Sequence, residues 1–408
     1  MKRLPLLAIA CTCVIVLLAV VGSVIPQASL TDDVWYMDRM DVLRNDGDLN
    51  VFYTRAAWVD EGGIPYSHAH AQEYPPLAVA MFALVRLLTS SAEGFSVVMI
   101  AVMIAHYAAL VFVTGRILAE RSLPYTRLWF FVLPGLMYFT LWRYDVIPAL
   151  WTTVAIGAVF AGVFGVAFLA LVVGTLYKVY PGIFLLPLFM LVGSRVLSGT
   201  QRASLAKWLS WSALITLVVC GGFALFAGFA DMIAPLAFHM MRDVERGSLP
   251  SALLALLPMA YQDGARPFVI AAMLLCQFVP FVVLTAKARV RTKTEFVHAC
   301  LFILIPLTVF ARFFSPQWIL WITPLVLLVA NRRALLALLA FDLLIYLQFP
   351  VLFTIDPFHI SYDLVTILRT VVLLWIWHGS ARAILSFSQG HIFALRVFRR
   401  IKCLKAKM

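Results

Sequence analysis

The stretch VIPALWTTVAIGAVFAGVFGVAFLALVVGTLY, from Val146 to Tyr177, has 32 residues and no Asp, Glu, Lys or Arg. One α-helix of that length would extend about 48 Å, whereas the hydrocarbon core of a bilayer is about 30 Å thick. The glycine-containing segment AGVFG at 161–165 offers a place for a break. We therefore predict two short membrane helices in a tight hairpin, with Asp145 and Lys178 on the same side.

Similar apolar runs recur along the chain, which is 63% hydrophobic and 13% charged. Soluble domains are less apolar and more charged, and charge-free runs of about 18 or more residues are typical of membrane spans. The sequence predicts an all-α polytopic membrane protein that forms a single domain over residues 1–408. The candidate spans are 5–26, 75–90, 95–116, 128–142, 146–161, 163–176, 180–194, 208–230, 267–286, 296–311, 316–330, 334–350 and 364–381.

The formal net charge of +12 would suit nucleic-acid binding, but the basic residues gather in short loops between apolar runs and at the chain ends. Lys and Arg mark cytoplasmic loops, so we interpret the charge as topology and expect no nucleic-acid partner. This interpretation places both termini, including a basic tail at 383–408, on the cytoplasmic side of a multi-pass plasma-membrane protein. The segments expected on the opposite face are 27–74, 143–145, 178–180, 231–266, 312–317 and 351–363.

Thirteen candidate spans cannot leave both termini on one side of a membrane. The segment 75–90 opens with two prolines and has Arg86 near its end, so it is the one that we expect to enter the membrane without crossing. We therefore expect about 12 transmembrane helices, with the basic loops inside.

The first outer segment, 27–74, is the longest polar stretch of the chain and is rich in Asp and Glu. Its residues 50–61, NVFYTRAAWVDE, have apolar positions at helical spacing and predict a short helix at the membrane surface. Asp48 would lie at the start of that helix, where Asp is a favoured cap. Spacing alone therefore leaves Asp48 as either a helix cap or a functional carboxylate.

Several short groups of residues stand in order between about 40 and 330. They are Asp48, Tyr53, Gly63-x-Pro65-Tyr66 and Glu73-Tyr74-Pro75-Pro76; Arg143-Tyr144-Asp145; Lys178-x-Tyr180-Pro181; His239, Arg242, Glu245 and Ser248; and Ser315-Pro316-Gln317-Trp318 with Trp321. In order and spacing they resemble the signature of the GT-C glycosyltransferases of family 87, which includes polyprenyl-phosphate-mannose-dependent mannosyltransferases. The last two spans match no part of that signature.

The resemblance implies a GT-C-like fold with a long first non-cytoplasmic loop and inversion at the anomeric carbon. Transfer from a lipid-phosphate sugar needs a carboxylate to accept the acceptor's proton, for which Asp48 is the candidate. It also needs cations for the departing phosphate, for which the candidates are Arg143, Lys178 and Arg312. The expected substrate-binding residues are Tyr53, Tyr66, Glu73, Tyr74, Asp145, Tyr180, His239, Arg242, Glu245 and Gln317.

Simpler structural roles exist for some of these residues. Arg143 and Asp145 would also suit a local ion pair at the membrane edge, because charges within membranes usually pair. Lys178 would also suit snorkelling towards the headgroups. His68 and His70 invite a metal site, but zinc needs three or four ligands and no further Cys/His cluster is near, so we expect neither a metal nor a cofactor.

The chain has no Walker-type loop, no Rossmann fingerprint and no soluble segment long enough for a nucleotide-sugar domain. We therefore expect the donor to come from the membrane as a polyprenyl-phosphate sugar, with mannose as the expected hexose. The expected acceptor is a glycolipid or glycan on the non-cytoplasmic face. A transporter or flippase of a lipid-linked saccharide is the alternative, although such proteins often contain internal repeats and none is visible here. A ligase or polymerase of the O-antigen type would share the lipid-phosphate donor.

Overall fold

The computed structural model describes residues 47–63, 73–89, 91–356 and 359–405, without the side chains of 230, 231, 354 and 386–405. Within these residues helix makes up 84% and no strand occurs, so the all-α prediction is confirmed. The candidate span 5–26, most of the first outer segment and Tyr66 lie outside the described residues.

The described residues form a bundle of α-helices joined by short turns. The helices are α1 (Gly47–Asp60), α2 (Pro76–Leu87), α3 (Ala92–Glu120), α4 (Pro134–Trp142), α5 (Val146–Ala161), α6 (Phe164–Tyr177), α7 (Leu185–Gly193), α8 (Gly199–Ala227), α9 (Phe229–Met232), α10 (Ala234–Met241), α11 (Leu249–Ala255), α12 (Met259–Lys287), α13 (Lys293–Val309), α14 (Ile319–Val329), α15 (Arg332–Tyr346), α16 (Phe353–Ile355) and α17 (Ile360–Lys405). Short 3₁₀ helices precede α4, α7 and α14, and a π-helical segment, Leu347–Leu352, follows α15.

Five of the described helices are long and apolar enough to cross a membrane: α3, α8, α12, α15 with its π-helical extension, and the part of α17 up to Leu385. The pair α4 and α5, bent by 113°, would make a sixth if it counts as one broken span. Four shorter apolar segments have 10–17 residues, namely Pro76–Leu87, Phe164–Tyr177, Tyr180–Gly193 and Pro316–Val329. Every candidate span within the described residues overlaps an α-helix, although 128–142, 180–194 and 316–330 each begin with a 3₁₀ segment. The count of about 12 crossings stays a prediction.

The predicted hairpin between α5 and α6 is present. α5 ends at Ala161, and Gly162 follows with a φ of 81°, a left-handed conformation that glycine adopts without steric cost. The N–H of Val163 then donates to the carbonyl of Ala158 at 2.9 Å, as at many glycine-terminated helix ends. α6 returns antiparallel, so the segment after α6 lies beside the segment before α5.

Central and peripheral helices differ in burial. Side chains of α5, α13 and α14 are buried around nearly the whole helix, so these three form the centre of the bundle. In α8 and α12 only 6% and 11% of the most apolar 18-residue window is buried. An apolar helix whose side chains are not covered by the rest of the protein suits a lipid environment.

A buried carboxylate fixes the start of α4. Asp342 of α15 is 1% exposed, and its two oxygens accept hydrogen bonds from the N–H groups of Gly135 and Leu136, each at 2.9 Å. The first N–H groups of a helix have no partner within the helix, and a negative charge there is favourable. The contact holds the start of α4 against α15.

Basic residues that were assigned to cytoplasmic loops contact carbonyl groups at one end of the bundle. Arg127 donates to the carbonyls of Leu327 and Ala330 at 2.5 and 3.1 Å, and Lys293 donates to the carbonyl of Phe160. Cations are favourable at these carbonyl-rich C-terminal ends of α14 and α5. The segments that were assigned to the outer face meet at the opposite end of the same helices, where they surround a cavity.

Candidate functional site

The cavity has a volume of about 610 Å³, within the roughly 300–1,000 Å³ that is usual for small-molecule sites. Eleven of the fourteen predicted site residues line it, although they come from segments far apart in sequence. These eleven are Asp48, Glu73, Tyr74, Arg143, Asp145, Lys178, Tyr180, His239, Arg242, Glu245 and Gln317.

Asp48 lies in the first turn of α1 and is paired with Arg143. The Arg143 Nε lies 2.9 Å from the Asp48 Oδ2, and about a third of the Asp48 side chain remains exposed to the cavity. Arg143 follows α4 in an extended conformation, which carries its side chain across to α1. The helix start favours the negative charge of Asp48, and its carboxylate also faces the cation of Arg143, which directly follows α4.

Burial raises the pKa of the Asp48 carboxyl above its usual value, and the Arg143 guanidinium acts in the opposite direction. The nearby carboxylate of Glu73 raises the pKa of Asp48 further. A carboxylate whose pKa is raised towards the working pH is a better proton acceptor than an ordinary one. Asp48 is therefore a partly exposed carboxylate with a raised pKa that lies beside a cation.

A second ion pair lies at the base of the cavity, where the α5–α6 hairpin brings its two ends together. The Lys178 Nζ lies 2.8 Å and 3.0 Å from the two oxygens of Asp145, and the indole N–H of Trp321 donates to the same carboxylate at 2.9 Å. Asp145 is only 1% exposed, so its charge is held by these two donors. The predicted local pair of Asp145 is thus with Lys178 rather than with Arg143.

Aromatic rings surround this second pair. The ring of Tyr180 is stacked on that of Trp321, with centroids 4.0 Å apart. The Lys178 ammonium lies 5.0 Å from the ring centre of Tyr144 and 5.4 Å from that of Trp321, within the range of cation–π attraction. Lys178 is therefore fixed by a carboxylate and two rings, and it does not simply extend towards the headgroups.

The segment after α10 supplies a third charged group. The Arg242 guanidinium forms a two-pronged pair with the Glu245 carboxylate, with one Nη2–Oε2 distance of 2.9 Å, and lies 4.0 Å from the Glu73 carboxylate. The His239 Nε2 lies 3.3 Å from the carbonyl oxygen of Glu73. Burial lowers the pKa of His239, which favours a neutral imidazole at this rim of the cavity.

Arg312 and Tyr53 lie beside the cavity and do not line it. The Arg312 Nη1 lies 3.2 Å from the carbonyl of Met240 and 3.3 Å from that of Arg242, and its own carbonyl accepts the N–H of Glu245 at 2.9 Å. Arg312 therefore holds the segment that carries Arg242, and its phosphate-binding role stays a prediction. Tyr53 packs instead against Phe95 and Arg86.

Further residues line the cavity that the sequence analysis did not single out. They include Arg246, Gln348, Tyr362 and Arg369. Gln348 and Arg369 are polar residues within the last two apolar runs, and ionisable groups in such runs are functional candidates by default. That rule would have identified Arg369, whereas the motif resemblance does not extend so far along the chain.

Metal ligands do not cluster in the part of the chain that the structure describes, where no group of three or more His, Cys, Asp and Glu side chains is placed to hold an ion. His68 and His70 lie outside that part. The expectation of no metal and no cofactor stays a prediction.

Comparison with family models and with curated proteins finds no match for this chain. The resemblance to GT-C family 87 therefore rests on the motif residues and their order.

Proposed function

We propose that the protein is an inverting glycosyltransferase of the GT-C type, with about 12 transmembrane helices. It transfers a hexose, with mannose as the expected sugar, from a polyprenyl-phosphate donor to a glycolipid or glycan acceptor on the non-cytoplasmic face. The observation that carries the proposal is the convergence of eleven motif residues on one cavity that contains both a suitable base and several cations. Residues that resemble the family signature only by their order in the sequence lie close together in space.

The chemistry assigned to Asp48 is proton acceptance. As the acceptor hydroxyl oxygen forms its bond to the anomeric carbon, the bond from that carbon to the phosphate oxygen breaks and its electron pair stays on the phosphate. The hydroxyl proton passes to the Asp48 carboxylate. General-base catalysis of this kind contributes about 10²–10⁴-fold to a rate, and the raised pKa of Asp48 supports the assignment.

The paired charges and aromatic rings suit a sugar. A hexose has polar edges and less polar faces, so it is bound well by a flat ring beside fixed hydrogen-bonding groups. Tyr180 and Trp321 contribute aromatic groups to the lining, and Lys178, whose side chain is 22% exposed beside Asp145, contributes a donor. Ligand sites commonly combine apolar walls with a few fixed polar groups in this way.

A lipid-linked donor fits the surroundings of the cavity. Leu236, Leu307 and Phe353 are among its lining residues, and α12, which contributes Gln277 to the lining, is mostly unburied along its apolar length. An amphiphile with a phosphate and a prenyl chain would meet polar groups at one end and apolar groups at the other. These features support a donor that arrives from the bilayer.

The rival proposal, a transporter or flippase for a lipid-linked saccharide, is favoured by one observation. α4 and α5 meet at 113° and together have the length and composition of one broken span, and discontinuous helices commonly form the substrate sites of transporters. A functional assay therefore has to separate transfer from transport.

The test uses the purified full-length protein with polyprenyl-phosphate mannose, with a nucleotide-sugar as the control donor. We expect a glycosylated product from the lipid donor alone. We expect Lys178→Ala to reduce kcat/KM roughly tenfold or more, because the variant loses one charge-assisted hydrogen bond. Lys207→Ala, an exposed lysine on α8, is the matched control and should match wild type.

Other outcomes would overturn the proposal. Transfer from the nucleotide-sugar alone would refute the lipid donor. Absence of any product, together with movement of the lipid-linked sugar across proteoliposome membranes, would favour the transporter.

A further inference from the structure

Five Lys and Arg side chains line the cavity, and four of them lie beside a carboxylate. The ion pairs are Arg143 with Asp48 at 2.9 Å, Lys178 with Asp145 at 2.8 Å, Arg242 with Glu245, and Arg246 with Asp363 at 2.6 Å. These four cations are already largely neutralised by the protein. The fifth, Arg369, is different.

Arg369 of α17 is 1% exposed, and its neighbours are neutral. Its Nη1 donates to the Gln348 Oε1 at 2.5 Å, and its Nη2 donates to the carbonyl of Gly247 at 2.7 Å. The guanidinium carbon lies 3.4 Å from the ring centre of Phe314. No carboxylate of the described residues forms an ion pair with Arg369, and its Nε–H has no hydrogen-bond partner among them.

A buried cation without a counter-ion is costly in a protein interior. The cost falls if an anion binds beside it, because the charge is then neutralised and the remaining N–H groups gain acceptors. Arg369 lies within the apolar part of α17, yet its contacts are with Gly247 and Phe314, which belong to segments assigned to the outer face. It therefore connects α17 and Gln348 to the segments that line the predicted outer end of the cavity.

We propose that Arg369 binds the phosphate of the lipid-linked donor. The identity of the ligand rests on the proposed function, whereas the anion site rests on the unneutralised guanidinium itself. A planar guanidinium with spare N–H groups matches phosphate oxygens. Arg143 and Lys178, the cations of the motifs, form ion pairs with Asp48 and Asp145 instead. The phosphate subsite therefore lies in the part of the chain beyond the motif resemblance.

The experiment measures binding of citronellyl phosphate, a short prenyl phosphate, to the full-length protein in detergent. Two variants change the charge at the subsite in different ways. Arg369→Gln removes the cation, and Gln348→Glu keeps it while placing a carboxylate where the Gln348 Oε1 now accepts its hydrogen bond. We expect each variant to raise Kd at least tenfold, which is about 1.4 kcal/mol.

The controls separate this role from a structural one. Arg382→Gln, an exposed arginine on the same helix, should leave Kd unchanged, and citronellol, which lacks the phosphate, should bind wild type and variants equally. If Arg369 only fastens α17 to neighbouring segments, Gln348→Glu gives the guanidinium a counter-ion, removes the Gln348 Nε2 hydrogen bond to Thr366 and leaves Kd unchanged. That result overturns the proposal, even if Arg369→Gln fails to fold.

Two further outcomes distinguish the ligand from the site. Equal competition by phosphatidylglycerol would overturn the assignment to the donor and identify a general lipid-phosphate site. Charge-dependent binding of citronellyl phosphate, in a protein that transfers no sugar from polyprenyl-phosphate mannose, would support the phosphate subsite while refuting the proposed transferase function.

Discussion

Replacing Asp48 by Asn is the sharpest test of the proposed chemistry. Asn keeps the size of the side chain, caps helices about as well as Asp and keeps an oxygen at the position of the Asp48 Oδ2, which lies 2.9 Å from the Arg143 Nε. It removes the capacity to take a proton. We therefore expect normal expression and a fall in kcat of at least about 10²-fold, the lower end of general-base contributions.

The pH dependence of the transfer rate gives a second, independent test of the Asp48–Arg143 pair. Burial raises the Asp48 pKa above 3.8, and the base is active when ionised, so the acidic limb of the rate profile should lie above 3.8 and activity should fall as pH drops through it. Arg143→Gln removes the opposing cation and should move this limb to higher pH. A neighbouring opposite charge shifts a carboxyl pKa by about 1–3 units.

The assay is transfer from polyprenyl-phosphate mannose, with kcat and kcat/KM followed between about pH 4 and 9 in wild type and both variants. A merely structural role for Arg143 would lower activity at every pH without moving the limb. Near-normal transfer by the Asn variant would remove Asp48 as the base, and the buried Asp145 would then be the next carboxylate to test. An acidic limb that stays in place in Arg143→Gln would refute the electrostatic account of the pair.

Three further predictions concern the scaffold and its orientation. Asp342→Ala removes the acceptor of two backbone N–H groups of α4 and should destabilise the protein by about 2–3 kcal/mol, measured as the midpoint of thermal unfolding in detergent; an unchanged midpoint would contradict the capping role. Gly162→Ala places a Cβ at a φ of 81° and should cost about 1–2 kcal/mol, whereas Gly264→Ala, within α12 and with open space around the new Cβ, should be neutral or stabilising. An introduced cysteine at Glu61 should react with an impermeant thiol reagent in intact cells and one at Ser198 should not, as the positive-inside rule requires; the reverse pattern would place the cavity in the cytoplasm.

Hydrophobic pattern predicted the helices well because apolar runs of membrane length have few alternative structures. The break before Phe164 followed from length and glycine content, and the structure places it between Ala161 and Phe164. Helix ends were less predictable. α8 begins at Gly199 rather than near 208, because polar residues at a membrane edge continue a helix once Ser198 and Gln201 cap its start.

The sequence pattern did not predict which side chains contact each other. The order of the motifs indicated that Asp48 and Arg143 belong to one site, but nothing in the spacing indicates a 2.9 Å contact between α1 and the end of α4. Arg312 was expected in the cavity because it lies where an apolar run meets the outer face, yet nearby carbonyl groups hold its side chain. Pairings between distant helices depend on packing, which a local sequence window does not contain.

The α5–α6 hairpin has a consequence for biogenesis. Asp145 and Lys178 stand at its two ends, and only two residues separate the helices, so the loop-closure entropy that opposes their meeting is small. A chain inserted from its N-terminus can therefore form this ion pair as soon as the hairpin enters the bilayer, well before Trp321 of α14 is synthesised. The two charges then enter the membrane already neutralised by each other, and the later helices assemble around a polar centre that is already in place.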